Sequence, residues 1–251
     1  MGVRPLRPAR RGPSPSAAAD ATARFLDALG LPADVRGAPD LVETPRRVAE
    51  AWLEDLVDGY GRDPAAILAD GLASAGRDLV AVTGIDYHSV CPHHLLPSRG
   101  VAHVGYVPGG KVVGFGQIVK LVDALAHRLV LEEDLARDVA DALVRHLGAR
   151  GAACVLEAEQ LCMTVRGEKR AGARAHAEAW EGVLAKNGPA RRRFQDLVSG
   201  SARGKSRVRR AKGQPDEAAP TRAGASGGRA PSEARRVSPR LKAGARRRKK
   251  V

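Results

Sequence analysis

Apolar residues recur at helical spacing from Ala17 to Leu29, and over Leu41–Tyr60 (LVETPRRVAEAWLEDLVDGY) they place Val48, Trp52, Leu53 and Leu56 on one face. Thr44 before Pro45 reads as a helix N-cap followed by proline at the first helical position, where its missing N–H costs nothing. The pattern then turns β-like. Leu79–Val90 and Val101–Val107 are β-branched runs, and Pro108-Gly109-Gly110 reads as a turn into a third strand over Lys111–Phe115. Helical spacing returns in Gln117–Leu129 and Glu132–Leu147, the second closed by Gly148 as a C-cap, before a fourth strand over Ala152–Val165. Helices, a hairpin, two helices and a further strand make an α+β protein, an antiparallel sheet backed by helices. There is no internal repeat.

Residues 1–16 and 200–251 are dominated by Gly, Pro, Ser, Ala and Arg, too poor in apolar surface to offset ordering entropy, and are expected to be disordered. One domain, 17–199, lies between them. The net charge of +14 belongs to these ends: the last 61 residues hold 20 Lys and Arg against four acids, and the first 19 hold four Arg and no acid. The middle is therefore acidic, so the overall basicity says little about what the folded part binds. The tail could hold nucleic acid by counterion release, but it has no interleaved aromatics for base stacking, which leaves a solvated, non-specific segment as the simpler reading. Three cysteines are too few, and odd in number, for a disulfide framework, and no apolar leader or membrane-length run is present. A cytoplasmic protein is expected.

The chemistry-bearing cluster is Cys91-Pro92-His93-His94, directly after a predicted strand, with Cys162 at the end of another. A C-x-x-H pair plus one distant cysteine offers three soft ligands and leaves the fourth corner of a zinc tetrahedron open, as catalytic sites do. Spacing alone leaves two alternatives: unrelated buried thiols with a core histidine, or a structural site closed by His93 or Cys154. Cys154 alternates within a strand and suits a packed thiol. His103, in the strand after the ligand loop, is a further pocket candidate.

Taken in order, ETPRRVAEAW, HSVCPHHLLPSRGVAHVGYVPGGKVVGFGQIVKLVDALAHRLVLEEDLARDVADAL and EAEQLCMTVRG resemble GTP cyclohydrolase I in content and spacing, over about Leu41–Leu184. The resemblance implies a tunnelling fold (T-fold), a barrel closed by oligomerisation, usually a decamer of two pentamers with active sites at subunit interfaces. It implies Zn²⁺ held by Cys91, His94 and Cys162, with His93 as the proton-shuttling histidine. Glu133 falls where the family grips the guanine N1 and 2-amino edge, and Lys120 and Arg166 fall at positions associated with the triphosphate. The reaction implied is attack of a metal-activated water on C8 of GTP, ring opening, loss of formate and closure to 7,8-dihydroneopterin triphosphate, with no organic cofactor. A Cys₂His donor set accepts zinc and iron alike.

The chain departs from the family pattern at three places. Pro92 stands where the family has an acid, Gln160 where it has a second active-site histidine, and Gly116-Gln117 where it has Ser-Lys. Glutamine can orient a group but cannot exchange protons near neutrality. These departures make a zinc-binding homologue with altered, partial or lost activity the alternative to the full reaction. Nucleic-acid binding through the tail is a further alternative of a different class.

Overall fold

In a computed structural model of the chain, Gly12 and residues 14–211 are described, with side chains through residue 201. The fold below is the unit ending at Val208. Most of the two terminal segments expected to be disordered lies outside the described residues; where they overlap, at residues 15–16 and 200–211, the backbone is helical.

Short helices open the chain: α1 (Pro15–Ala28), α2 (Ala33–Arg36), α3 (Pro39–Val42) and α4 (Thr44–Glu50), then a π-helical turn over Ala51–Leu56, a 3₁₀ turn over Asp58–Gly61 and α5 (Pro64–Leu68). The single helix expected over Leu41–Tyr60 is thus broken. Pro45 has no N–H to give the carbonyl of Leu41, so α3 and α4 separate there. Thr44 is inside the first turn, its hydroxyl 3.4 Å from the Asp40 carbonyl, while Glu43 holds the N-cap without a side-chain bond.

Strands β2 (Val80–Val90), β3 (Pro97–Val107), β5 (Gly151–Gln160) and β6 (Ala175–Gly182) form an antiparallel sheet in that order, and β1 (Leu72–Ala73) pairs with β4 (Lys111–Val112) apart from it. The expected strand at Lys111–Phe115 is therefore only two residues long, because Gly114 caps helix α6 (Phe115–Ala126). Helix α7 (Glu132–Leu147) matches its expected span and ends on Gly148 at φ +73°, a left-handed cap that suits glycine. The strand expected to run to Val165 stops at Gln160: β3 begins at Pro97 and its register with β5 ends at Ser98↔Gln160, so the chain beyond has no partner and coils into α8 (Leu161–Thr164). Strand β6 and helix α9 (Pro189–Ala211) were not expected. The alanine-rich alternation of AHAEAWEG is a weak strand pattern that pairing with β5 decides.

Helices α6 and α7 cover one face of the sheet, where Ile118, Leu121, Leu135, Val139 and Leu143 pack on Ala102, Val104, Tyr106 and Leu156. On the other face α9 brings Phe194 into a smaller cluster with Val107, Ala153 and Leu184. Phe194 is fully buried, meets Trp180 edge-on at 5.8 Å, and lies over Gly105, where a Cβ would come within 2.7 Å of its ring. Phe194→Ala is expected to cost about 3–5 kcal/mol, and Gly105→Ala about 1–3 kcal/mol through forced displacement of that ring. Urea unfolding of the two variants measures both.

The segment Asp58–Arg62 is fastened to the end of α6. Arg128 donates to the carbonyls of Gly59 and Arg62, the Gly59 N–H donates to the His127 carbonyl, and Asp58 pairs with His127, which stacks on His88 at 4.1 Å. Beside it the Val90 N–H donates to the Arg128 carbonyl and the Val130 N–H to the Val90 carbonyl. This stitching brings the start of α7 against the end of β2, where the cysteine loop begins.

Candidate metal centre and acid-lined cleft

The loop from Cys91 to Leu96 joins β2 to β3 and is closed by two backbone bonds, from the Cys91 N–H to the Leu96 carbonyl and from the Leu95 N–H to the Cys91 carbonyl. Neither uses the N–H of residue 92, so Pro92 fits without loss of a loop bond. Leu95 sits at φ +54°, a left-handed conformation that costs a non-glycine residue about 1–2 kcal/mol. Such strain collects where a loop is held for function.

Cys162 lies in the first turn of α8, just past the Ser98↔Gln160 register of β3 and β5. That register brings it beside the loop: the ligand atoms of Cys91, His94 and Cys162 all lie within 4.8 Å of one another. They form the single group of three or more such side chains among the described residues. Two soft sulfurs and an imidazole, with Cys91 buried and His94 exposed, fit a zinc ion with an open side. Burial pushes the Cys162 thiol up, and the neighbouring Cys91 sulfur adds to this. Cys154 does not join the group; it is fully buried in β5, its thiol pushed up by burial and then by the charge of Glu132.

A cleft of about 250 Å³ opens on the cluster, lined among others by Cys91, His93, Glu132, Glu133, Gln160 and Cys162. Of the sequence candidates, His93, Glu133 and Gln160 are in its wall. Arg166 is exposed just past α8, and its charge opposes, without reversing, the rise that burial gives the Cys162 thiol. Lys120 and Gln117 lie on α6 outside this wall; Lys120 is exposed and the Gln117 amide donates to the Ile67 carbonyl. His103 is buried in β3 and does not line the cleft.

Sequence reasoning missed Glu132 and the three hydroxyls around it. Only 7% exposed, Glu132 accepts hydrogen bonds from the hydroxyls of Tyr87, Ser98 and Ser89 and from the Gln160 amide. Tyr87 and Ser89 are two residues apart on β2, and Ser89 is the register partner of Ser98 on β3, so all three hydroxyls share one face. Polar side chains at alternate inward positions of a strand are the signal that could have found them. Gly100 opposite Tyr87 leaves room for its ring, since a Cβ there would approach within 2.8 Å.

Burial, and then the charge of Glu132, push the Tyr87 hydroxyl far above its ordinary value. The unfolded chain releases this proton near pH 10 and the folded one holds it. Its contribution to stability is therefore complete below about pH 10 and is lost as pH rises further. Tyr106, raised by burial, acts with the same sign. Melting temperature is expected to fall steeply above about pH 10, and Tyr87→Phe to flatten that fall. A melting series across the alkaline range checks it.

An antiparallel sheet backed by helices, with two thiols and an imidazole that could hold a metal ion beside an acid-lined cleft, defines an α+β protein with a candidate metal centre. The chain belongs to the GTP cyclohydrolase I family, whose model matches residues 18–199. It is 43% identical over 176 residues to GTP cyclohydrolase 1 of Ralstonia nicotianae, an alignment spanning 70% of this chain and 83% of that protein. To GTP cyclohydrolase 1 of Chromobacterium violaceum it is 44% identical over 152 residues, 61% of this chain and 74% of that one. To the Corynebacterium glutamicum protein of the same name it is 40% identical over 178 residues, 70% and 89% of the two chains. No helix among the described residues is long and apolar enough to cross a membrane.

Proposed function

We propose that this chain is a GTP cyclohydrolase I that opens the guanine imidazole ring of GTP, releases formate and forms 7,8-dihydroneopterin triphosphate. The observation that carries the reading is the convergence of Cys91, His94 and Cys162 at a cleft that also holds His93 and Glu133. Those three side chains would hold the zinc, which when bound supplies an acidified water for addition to C8. His93, exposed and in the cleft wall, is placed to carry protons to and from the ring nitrogens. Glu133, exposed at the cleft in the first turn of α7, offers two acceptors to the N1–H and 2-amino donors of guanine. Glu133→Gln puts a donor against those donors and is expected to raise the KM for GTP by about 10- to 100-fold, at 1.5–3 kcal/mol for a charged hydrogen bond. Initial-rate measurements over a range of GTP concentrations check it.

Arg166 is the triphosphate ligand on this chain. Lys120 and Gln117 serve the same group from a neighbouring subunit. A cleft of about 250 Å³ is small beside the usual ligand pocket of roughly 300–1,000 Å³, and exposed Phe115, Leu129, Leu131 and Val165 offer apolar surface for subunit contact. An oligomer, the decamer of two pentamers in its fullest form, would complete the site. The free thiols of Cys91, Cys154 and Cys162 suit the cytoplasm.

The test incubates zinc-loaded protein with GTP and follows formate together with the fluorescence of oxidised neopterin. Both products are expected. Formate without neopterin would favour a homologue that stops at an intermediate, a reading that Gln160 in place of a histidine motivates. Absence of both would defeat the assignment.

A further inference from the structure

Glu132 immediately precedes the carboxylate assigned to guanine, yet its own carboxylate is turned inward. Oε1 accepts from Ser98 Oγ at 2.8 Å, Ser89 Oγ at 3.2 Å and Gln160 Nε2 at 2.8 Å, and Oε2 accepts from the Tyr87 hydroxyl. An ionised carboxylate accepts and cannot donate, so only the nitrogen end of the Gln160 amide can face it. The amide oxygen is thereby turned away from Glu132, and no group among the described residues donates to it. Gln160 lines the cleft together with Cys91, Cys162 and His93.

We propose that Glu132 is a positioning residue, which locks Gln160 so that its carbonyl oxygen faces the purine and accepts a hydrogen bond that forms only as the ring is hydrated. This rests on the function proposed above. Purine N7 is an acceptor in the starting nucleotide, so an acceptor beside it gains nothing from the ground state. Addition of water across C8=N7 places a hydroxyl on C8 and a hydrogen on N7, turning acceptor into donor. Gln160 then gains a partner that the bound substrate does not offer, and an interaction made only along the reaction raises kcat and leaves KM alone. A glutamine that exchanges no proton thus serves the reaction by stabilising its hydrated stage, provided Glu132 fixes which end of the amide points inward.

The test is a double-mutant cycle on the zinc-loaded, full-length protein, reading kcat and KM for formate release, with zinc content and melting temperature followed in parallel. E132Q lets the Gln160 amide turn over and is expected to lower kcat about tenfold or more while KM moves little, the loss of one hydrogen bond at about 1.4 kcal/mol. Q160L is expected to lower kcat similarly, and E132Q/Q160L to be no worse than Q160L. A double variant whose loss is the product of the single losses overturns the inference, because Glu132 would then act independently of Gln160. If E132Q loses zinc or cooperative melting, the exchange E132Q/Q160E decides. It keeps one carboxylate and one amide in the network and again turns an oxygen to the purine, so its kcat is expected to exceed that of Q160E at least about tenfold. No gain over Q160E overturns the inference. A parent protein that releases no formate overturns the proposed function and this inference with it, whereas additive variants of an active parent overturn this inference alone.

Discussion

Cys162→Ala is expected to lose bound zinc and to reduce formate release from GTP by at least about 10³-fold, while the far-ultraviolet spectrum keeps its folded shape. The ion's stabilisation of developing charge is worth several kcal/mol, and each 1.36 kcal/mol is a factor of ten in rate. Two donors, Cys91 and His94, come from one loop that its own backbone bonds close, so they can stay paired without the third. Cys162 arrives from the far end of β5 and is only half-buried, so its removal deletes one ligand and no core contact. Zinc by atomic absorption, against rate and circular dichroism, checks the prediction. A variant that keeps full zinc and full rate would dismantle the proposed centre, and one that unfolds would mean that the metal contributes to folding.

His93→Ala is expected to keep its zinc and lower kcat by about 10²- to 10⁴-fold, the usual worth of a positioned proton-transfer group. His93 is exposed and outside the three-ligand group, so nothing in the core depends on it. Its ring stands edge-on to that of His94, centroids 6.3 Å apart, next to the ligand but directed differently. Because Gln160 cannot exchange protons, His93 is the imidazole left in this cleft wall besides His176. Added imidazole is expected to restore part of the lost rate in His93→Ala and none in Cys162→Ala, which separates a missing proton carrier from a missing metal. Loss of zinc from His93→Ala would instead make His93 a ligand.

Much of this site was legible before the fold. Cys91, His94 and Cys162 stood out because soft donors at C-x-x-H spacing with a distant cysteine suit one coordination chemistry, and the surrounding motifs narrowed it. Glu133 was reached only through the family resemblance, as the position that grips the guanine edge. Glu132 was not, because two adjacent glutamates are equivalent in sequence and 100° of helical rotation decides which one meets Tyr87, Ser89 and Ser98 and which lines the open cleft. The early end of β5 and the strand at Ala175–Gly182 escaped for a related reason: each depends on the presence or absence of a hydrogen-bonding partner elsewhere in the chain.

By itself the sequence determined the α+β class and the long helix from Glu132 to Leu147 with its glycine cap, since local periodicity needs no knowledge of neighbours, whereas spacing offered Cys91, His94 and Cys162 only as candidate donors that the family resemblance grouped. Only the tertiary structure decided that β3 and β5 stop in register at Ser98 and Gln160, which brings Cys162 to Cys91 and His94. It alone decided that Gln160 is held by Glu132 and that Lys120 and Gln117 stand outside the cleft wall of their own chain. Strand register and helix facing are set by the summed packing of a whole sheet, and no short window of residues carries that sum.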